Sequence, residues 1–295
     1  MRKPPWLRTR LPSGSEFEAV NARLHAHGLN TVCSSARCPN LADCWGRGTA
    51  TFLILGDTCT RHCKFCSVKT GNPHGKVDET EPQRVADAVA ELRLKYVVLT
   101  SVDRDDLVDL GARPFARTVS AVRSITHASL PRRVVEVLTP DFAARPDLVG
   151  QVVDSGPDVF GHNIETVERL SLRVRDPRAA YRLSLDVLET AKKLKPAMTT
   201  KSSLLVGLGE THDELKQAMR DLRAVGCDIV TIGQYLRPAR NCLPVERYVV
   251  PDEFAVFQAE AHALGFRHAF CGPLVRSSFH AEDVFLAQNP EPPVA

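Results

Sequence analysis

The residues of this chain best suited to chemistry are the three cysteines of Cys59-Thr60-Arg61-His62-Cys63-Lys64-Phe65-Cys66, spaced C-x3-C-x2-C directly after the apolar run Thr51 to Leu55. Three thiolates on one short loop offer three soft ligands to a metal centre and omit the fourth. A structural zinc site is closed by four ligands, usually as two short pairs, whereas three from one loop suit a four-iron cluster that keeps one iron open to a small molecule. A free thiol has a pKa of about 8.5, so three close thiolates require a cationic centre to offset their repulsion. Arg61, His62 and Lys64 either offset the negative charge of such a cluster or are simply solvated.

A second triplet, Cys33, Cys38 and Cys44, is spaced C-x4-C-x5-C. Its segment has no strong periodicity and contains Pro39 and Asn40, which suits a loop wrapped around a cofactor that takes the place of a hydrophobic core. Near the other end runs Gly272-Pro273-Leu274-Val275-Arg276-Ser277-Ser278-Phe279-His280. Taken alone, its paired serines most often form a turn or a helix cap. Cys227, Cys242 and Cys271 are isolated and read as buried free thiols. The odd total of nine cysteines, their clustering and the lack of a signal-peptide pattern argue against a disulfide scaffold.

The elements that must position these groups alternate. Strands are expected at Thr51 to Leu55, Tyr96 to Thr100, Val134 to Leu138, Asp158 to His162, Thr200 to Val206, Ile229 to Gly233 and Phe266 to Phe270. A short helix over residues 15 to 28, stopped by Gly28, precedes the first cysteines. Further helices are expected at Pro82 to Leu94, Pro114 to Ile125, Arg145 to Ser155, Ile164 to Leu170, Pro177 to Leu194, Thr211 to Val225 and Pro251 to Leu264. This order predicts parallel strands with right-handed crossovers, in an open sheet or a full or partial barrel. No G-x-G-x-x-G follows the first strand, which weakens a dinucleotide-binding sheet. Polar and glycine residues follow the strands, where a barrel gathers its chemistry. Among them Asp103-Arg104-Asp105-Asp106 is either a solvated loop or a substrate or cofactor contact. The acidic start of the helix at Thr211 is a macrodipole partner rather than a zinc site.

The chain has 295 residues, 43% hydrophobic and 25% charged, with a net charge of +3. One barrel-sized domain with extensions fits better than two domains. The small charge gives no support to a nucleic-acid or membrane partner, and no apolar run approaches the roughly 18 to 20 residues that span a bilayer. Thiols that ligate iron must stay reduced, which places the chain in the cytoplasm or an equivalent compartment. The start, Arg2 to Arg8, is basic and proline-rich, lacks the apolar core of a secretory signal, and has two prolines that spoil an amphipathic transit helix.

The first cysteine loop, with Phe65 before its last cysteine, resembles the signature of the radical S-adenosylmethionine (SAM) superfamily. The two triplets together, the Lys3-Pro4-Pro5-Trp6-Leu7 entry and Arg276-Ser277-Ser278 resemble the lipoyl synthase family within it, from about Lys3 to Ala281. The resemblance implies an α/β fold, a partial (β/α)6 TIM-type barrel over 51–270. An extension at 1–50 carries the second triplet, and one at 271–295 carries the serine motif. It implies two 4Fe-4S clusters, one on Cys59, Cys63 and Cys66 that binds SAM, the other on Cys33, Cys38 and Cys44 with Ser278 as its fourth ligand. A serine alkoxide is a weak soft-metal ligand, which fits a cluster meant to be dismantled. The segment Ser203 to Glu210, with Gly207, Gly209 and Glu210, matches the family's SAM-contacting stretch. Asn163 and Glu165 are candidates for ribose hydroxyls and the methionyl amine, and Arg178 for a carboxylate.

The implied reaction inserts sulfur at carbons six and eight of an octanoyl-lysine. The implied partners are octanoylated lipoyl carrier domains (glycine cleavage H protein and acyltransferase subunits of 2-oxoacid dehydrogenases), a ferredoxin- or flavodoxin-type reductant, and iron-sulfur assembly proteins. The alternatives are another radical SAM sulfur-inserting enzyme and a non-catalytic zinc-binding module. Phe279, Cys242 and Leu110 depart from the family pattern, standing where tyrosine, histidine and glycine are usual.

Overall fold

The computed structural model describes residues 2–8, 15–32, 40, 44–45, 51–125 and 133–278. The chain enters through α1 (Ser15–Ala26), β1 (Asn30–Thr31), β2 (Thr51–Ile54), β3 (Thr58–Cys59) and β4 (Lys69–Thr70). It continues through α2 (Glu81–Glu91), β5 (Tyr96–Ser101), α3 (Ala112–Arg123), β6 (Val134–Leu138), α4 (Pro146–Asp154) and β7 (Val159–Gly161). The rest is α5 (Ser171–Val174), α6 (Tyr181–Leu194), β8 (Thr199–Val206), α7 (His212–Ala224), β9 (Ile229–Gln234), α8 (Pro251–Ala263) and β10 (His268–Gly272). Proline opens the first turn of α2, α4 and α8, where a missing N–H costs nothing. Thr211 and Glu214 form a reciprocal capping box at α7, so the acidic start of that helix is a cap.

The main sheet runs β1-β2-β5-β6-β7-β8-β9-β10. β1 is antiparallel to β2, and every later neighbour is parallel. The order is open, with β10 at the end opposite β1, which is the partial barrel expected. Six strands, β2 and β5 to β9, answer the barrel count, and β10 adds a seventh across the 270/271 position. Period-two alternation sends Val97 and Leu99 to the helix side with Val89 and Phe115, and Tyr96 and Val98 to the other side with Val134. A second core joins β8 and β9 to the later helices through Val206, Ile232, Met219 and Phe254. Among the described residues no helix is long and apolar enough to cross a membrane.

The inner face also carries a buried ion pair. Lys201 Nζ lies 2.9 Å from both carboxylate oxygens of Glu136, which also accepts from Tyr96 OH at 2.5 Å. Removing one partner leaves the other charge buried and unanswered, so Lys201→Met is expected to cost about 3–5 kcal/mol. Adding Glu136→Gln should recover most of that loss in a denaturant titration. A cost below about 1 kcal/mol would mean that the pair adds nothing.

One expected helix is not formed. Residues 164–167 run beside β8, where Glu165 N donates to Ser203 O and Leu205 N donates to Glu165 O, and the helical turns come later, at Glu168–Leu170 and α5. Backbone pairing with the sheet outweighs the helical spacing there. The helix expected from Pro177 begins at Tyr181, because Arg178 is held back by Asp176, which accepts from its backbone N–H and its guanidinium.

Candidate functional site

The cysteine loop hangs between several strand mouths. At its entry, Leu55 N donates to the Glu81 carboxylate (2.7 Å), and buried Arg104 donates to Leu55 O and Lys76 O while pairing with Asp106. The short pairing of β3 with β4 then brings the two ends of the loop together. Thr60 N donates to Asp103 O, and the buried Arg61 guanidinium donates to Asp105 beyond β5 and to Asp141 beyond β6. On the other flank, Lys64 N donates to Val174 O and His62 N to the Asp176 carboxylate, while Leu243 N donates to Lys64 O. Arg61 is therefore a fastener of the loop, whereas His62 and Lys64 are exposed.

Each of the three sulfurs accepts one backbone N–H. Arg61 N donates to Cys59 Sγ (3.5 Å), Asp176 N to Cys63 Sγ (3.3 Å) and Val68 N to Cys66 Sγ (3.5 Å). Such bonds stabilise thiolates and tune a cluster. Burial nonetheless pushes the Cys59 and Cys63 thiols up to about 12 and Cys66 up to about 11, so three thiolates there need a bound cation. Asp103, whose Oδ2 accepts from Cys59 Sγ at 3.7 Å, is pushed up to about 6, mainly by burial and against the pull of Arg61. The donor set fits a thiolate-held cluster. Among the described residues, no three His, Cys, Asp or Glu side chains converge as the ligands of a single ion would. In the cluster-free chain these thiols should alkylate at pH 8 at least about a hundredfold more slowly than an unstructured cysteine, since the thiolate is the reactive form. Peptide mapping after a timed iodoacetamide pulse checks this, and equal rates would refute it.

The three cysteines open into a cavity of about 600 Å³. Cys44 from the N-terminal segment and Ser278 from the C-terminal one share its wall. These two segments are tied together by Asn40 Nδ2, which donates to Leu274 O at 2.6 Å. Cys33, Cys38 and Phe279 lie outside the described residues. Asn163 and Glu165 also line the cavity, and Asn163 Nδ2 donates to Glu165 Oε1 at 3.0 Å. Burial raises the Glu165 carboxyl, and its backbone is held at φ +65°. A half-buried carboxylate on strained backbone at a cavity wall can accept donors from a ligand.

Arg178, Gly207, Gly209 and Glu210 do not line the cavity. Arg178 is half exposed and spends its guanidinium on Asp176, Asp105 and Thr60 O. Glu210 accepts the N–H groups of Gly207 and Leu208, clasping the turn after β8. Gly207, at φ +93°, sits where a Cβ would meet Gln234 and the Arg247 carbonyl. From the same stretch, Ser203 and Leu205 reach the cavity, two residues apart on one face of β8. Arg175 and His162 line it too, without any motif to mark them. Cys227 and Cys242 are buried free thiols and Cys271 is half buried. Cys242 Sγ donates to Cys66 O at 3.4 Å, so the loop after β9 straps the cysteine loop.

Comparison with known proteins agrees with this arrangement. The Radical SAM superfamily model matches residues 53–222, and the model of the N-terminal domain of lipoyl synthase matches residues 1–38. Lipoyl synthase of Halorhodospira halophila is 54% identical over 98% of this chain and 85% of its own length. That of Thermus thermophilus is 53% identical over 96% and 87%, and the mitochondrial lipoyl synthase of Phytophthora infestans 50% identical over 97% and 75%. Among solved structures, the [FeFe]-hydrogenase maturase HydG shares the fold, with a TM-score of 0.56 at 15% identity over 81% of this chain and 62% of its own. Methylornithine synthase does so with a TM-score of 0.54 at 13% identity over 88% and 71%. Half of all positions are thus shared, along nearly the whole of this chain, with enzymes that carry one name, and the chain belongs to the lipoyl synthase family of radical SAM enzymes.

Proposed function

We propose that the chain inserts sulfur at carbons six and eight of an octanoyl chain amide-linked to a lysine of a lipoyl carrier domain. Cys59, Cys63 and Cys66 would hold one 4Fe-4S cluster, and Cys33, Cys38 and Cys44 with Ser278 a second. When bound, the first cluster with SAM and a ferredoxin- or flavodoxin-type reductant supplies a 5'-deoxyadenosyl radical, while the second supplies sulfur and is rebuilt by iron-sulfur assembly proteins. An alkane C–H bond is beyond any side-chain base near neutral pH, so a cofactor must carry that step.

One observation carries the reading: Cys44 and Ser278 stand on the wall of the same cavity as the three-cysteine loop. A radical made at one side of this space need not leave it to reach a sulfur donor at the other. The protein's own task is placement. Phe65, Val102, Leu138 and Leu205 give the cavity apolar wall against which an alkyl chain lies and water is excluded. Asn163, Glu165 and Ser203, which line the cavity, would offer polar groups to SAM, and Leu205 beside them an apolar surface. Asn40, on the cavity wall, ties the N-terminal segment to the C-terminal one through Leu274 O, and a reducing compartment such as the cytoplasm would keep the thiols available.

The test is anaerobic reconstitution followed by addition of SAM, reductant and an octanoyl-lysine peptide, with mass spectrometry of both products. 5'-Deoxyadenosine together with a singly and then doubly thiolated peptide is expected. 5'-Deoxyadenosine without thiolation would reassign the substrate, and bound zinc with neither product would overturn the reading.

A further inference from the structure

Three strands of the barrel's inner face show where the cavity ends. Successive inward side chains on a strand stand two residues apart. Thr100 on β5, Leu138 on β6 and Ser203 on β8 line the cavity. The inward residues two places earlier, Val98, Glu136 and Lys201, do not line it and are 0%, 2% and 4% exposed. Along β2 the wall continues to Thr51, the register partner of Val98. Beneath lie Tyr96, Val98 and Val134, packed together in the barrel interior.

The Glu136–Lys201 pair is thus part of the cavity's floor. Lys201 Nζ donates to both carboxylate oxygens at 2.9 Å, and Glu136 Oε2 also accepts from Tyr96 OH at 2.5 Å, so each charge is answered by the other. A floor of aliphatic side chains yields to a longer guest by changing rotamers, but these two charges cannot part without leaving each other buried and unanswered. A methylene group offers no hydrogen bond in exchange. A carrier domain is too large to enter a cavity of about 600 Å³, so an acyl chain borne on it enters from the mouth with its methyl end leading. We infer that the Glu136–Lys201 floor, with Thr100 and Leu138 standing above it, sets the length of the acyl chain and makes the cavity specific for eight carbons. This rests on the proposed function above. The terminal carbon of an octanoyl chain is itself one of the two that receive sulfur, so a stop for the methyl end fixes the depth of carbons six and eight together.

Equilibrium dialysis of the iron-sulfur-reconstituted chain with SAM and no reductant, against hexanoyl-, octanoyl- and decanoyl-lysine peptides, reads chain length without turnover. The wild type should bind octanoyl about tenfold more tightly than hexanoyl, the gain from two buried methylenes. Decanoyl should bind at least about fivefold more weakly than octanoyl, because its last two carbons meet the floor. Glu136→Ala combined with Lys201→Ala removes both charges at once and should make decanoyl bind at least as tightly as octanoyl. Thr100→Ile keeps the β-branch, adds bulk above the floor, and should cut the advantage of octanoyl over hexanoyl to about threefold or less. A further tenfold gain from octanoyl to decanoyl in the wild type, or an octanoyl limit kept in the double variant, overturns the inference. Should the double variant fail to fold, Thr100→Ile decides, because an octanoyl-to-hexanoyl ratio equal to the wild type's also overturns it. Wild-type binding no tighter for octanoylated than for unacylated peptide would remove the proposed function itself, whereas binding of all three chains without a length limit would remove only this inference.

Discussion

Replacing Arg61 by glutamine is expected to release the cysteine loop from the barrel, lowering cluster iron severalfold and folding stability by about 3–5 kcal/mol. Arg61 is 6% exposed and Asp141 1%, so the charges left behind are out of water. In the wild type, burial alone would raise the Asp141 carboxyl, but the Arg61 hydrogen bond outweighs it and holds the group below the usual range. Asp105 is depressed in the same way, with burial opposed by Arg61 and Thr60. A depressed carboxyl contributes stability above its unfolded pKa, about 3.9, that is lost as pH falls through the folded value. Without Arg61 the sign reverses at Asp141. Its buried carboxyl is raised, so the variant loses stability as pH climbs from about 4 toward neutrality. The gap between wild type and variant should therefore widen from pH 5 to pH 8 in urea titrations of the cluster-free chain. A gap that is flat or narrows over that range would show that Arg61 does not hold these carboxylates.

The strands and the cysteine loop were legible because both announce themselves locally, through β-branched runs and through ligand spacing. The fastening of the loop was not. Asp103 and Asp105 stood out as mouth residues and Asp141 did not, and the pairing of all three with Arg61 spans 42, 44 and 80 positions and has no periodic trace. Arg175 was hidden among near neighbours: Arg173 pairs with Glu246 at the surface and Arg178 with Asp176, and only burial distinguishes the one between them. Gly207 and Gly209 were marked only by their match to the family's SAM-contacting stretch. Their backbones, at φ +93° and +106°, form the turn that Glu210 clasps. Leu110, a departure from the family pattern, occupies φ +51°, a conformation that glycine would adopt without strain.

Gly233→Ala is expected to unseat the C-terminal segment while leaving the cysteine loop intact. Gly233 lies on β9, and a Cβ there would stand 2.0 Å from Val275 O and 3.2 Å from the Arg276 guanidinium. Backbone cannot yield as a flexible side-chain tip does, so the segment must lift or β9 must deform. Overpacking of this kind costs about 1–3 kcal/mol, or about five- to 150-fold in the population with Ser278 at the cavity wall. Asn40, bonded to Leu274 O, would lose its partner as well, which carries the disturbance to the segment bearing Cys44. The thiolated product should then fall about fivefold or more while 5'-deoxyadenosine formation persists, and about one cluster's share of iron should be lost from each chain. Ser278→Ala should move the same two products in the same direction without the steric cause. If Gly233→Ala instead loses both products together, seating of the C-terminal segment is not separable from the radical site. If it loses neither, the segment does not need its place on β9 to deliver Ser278.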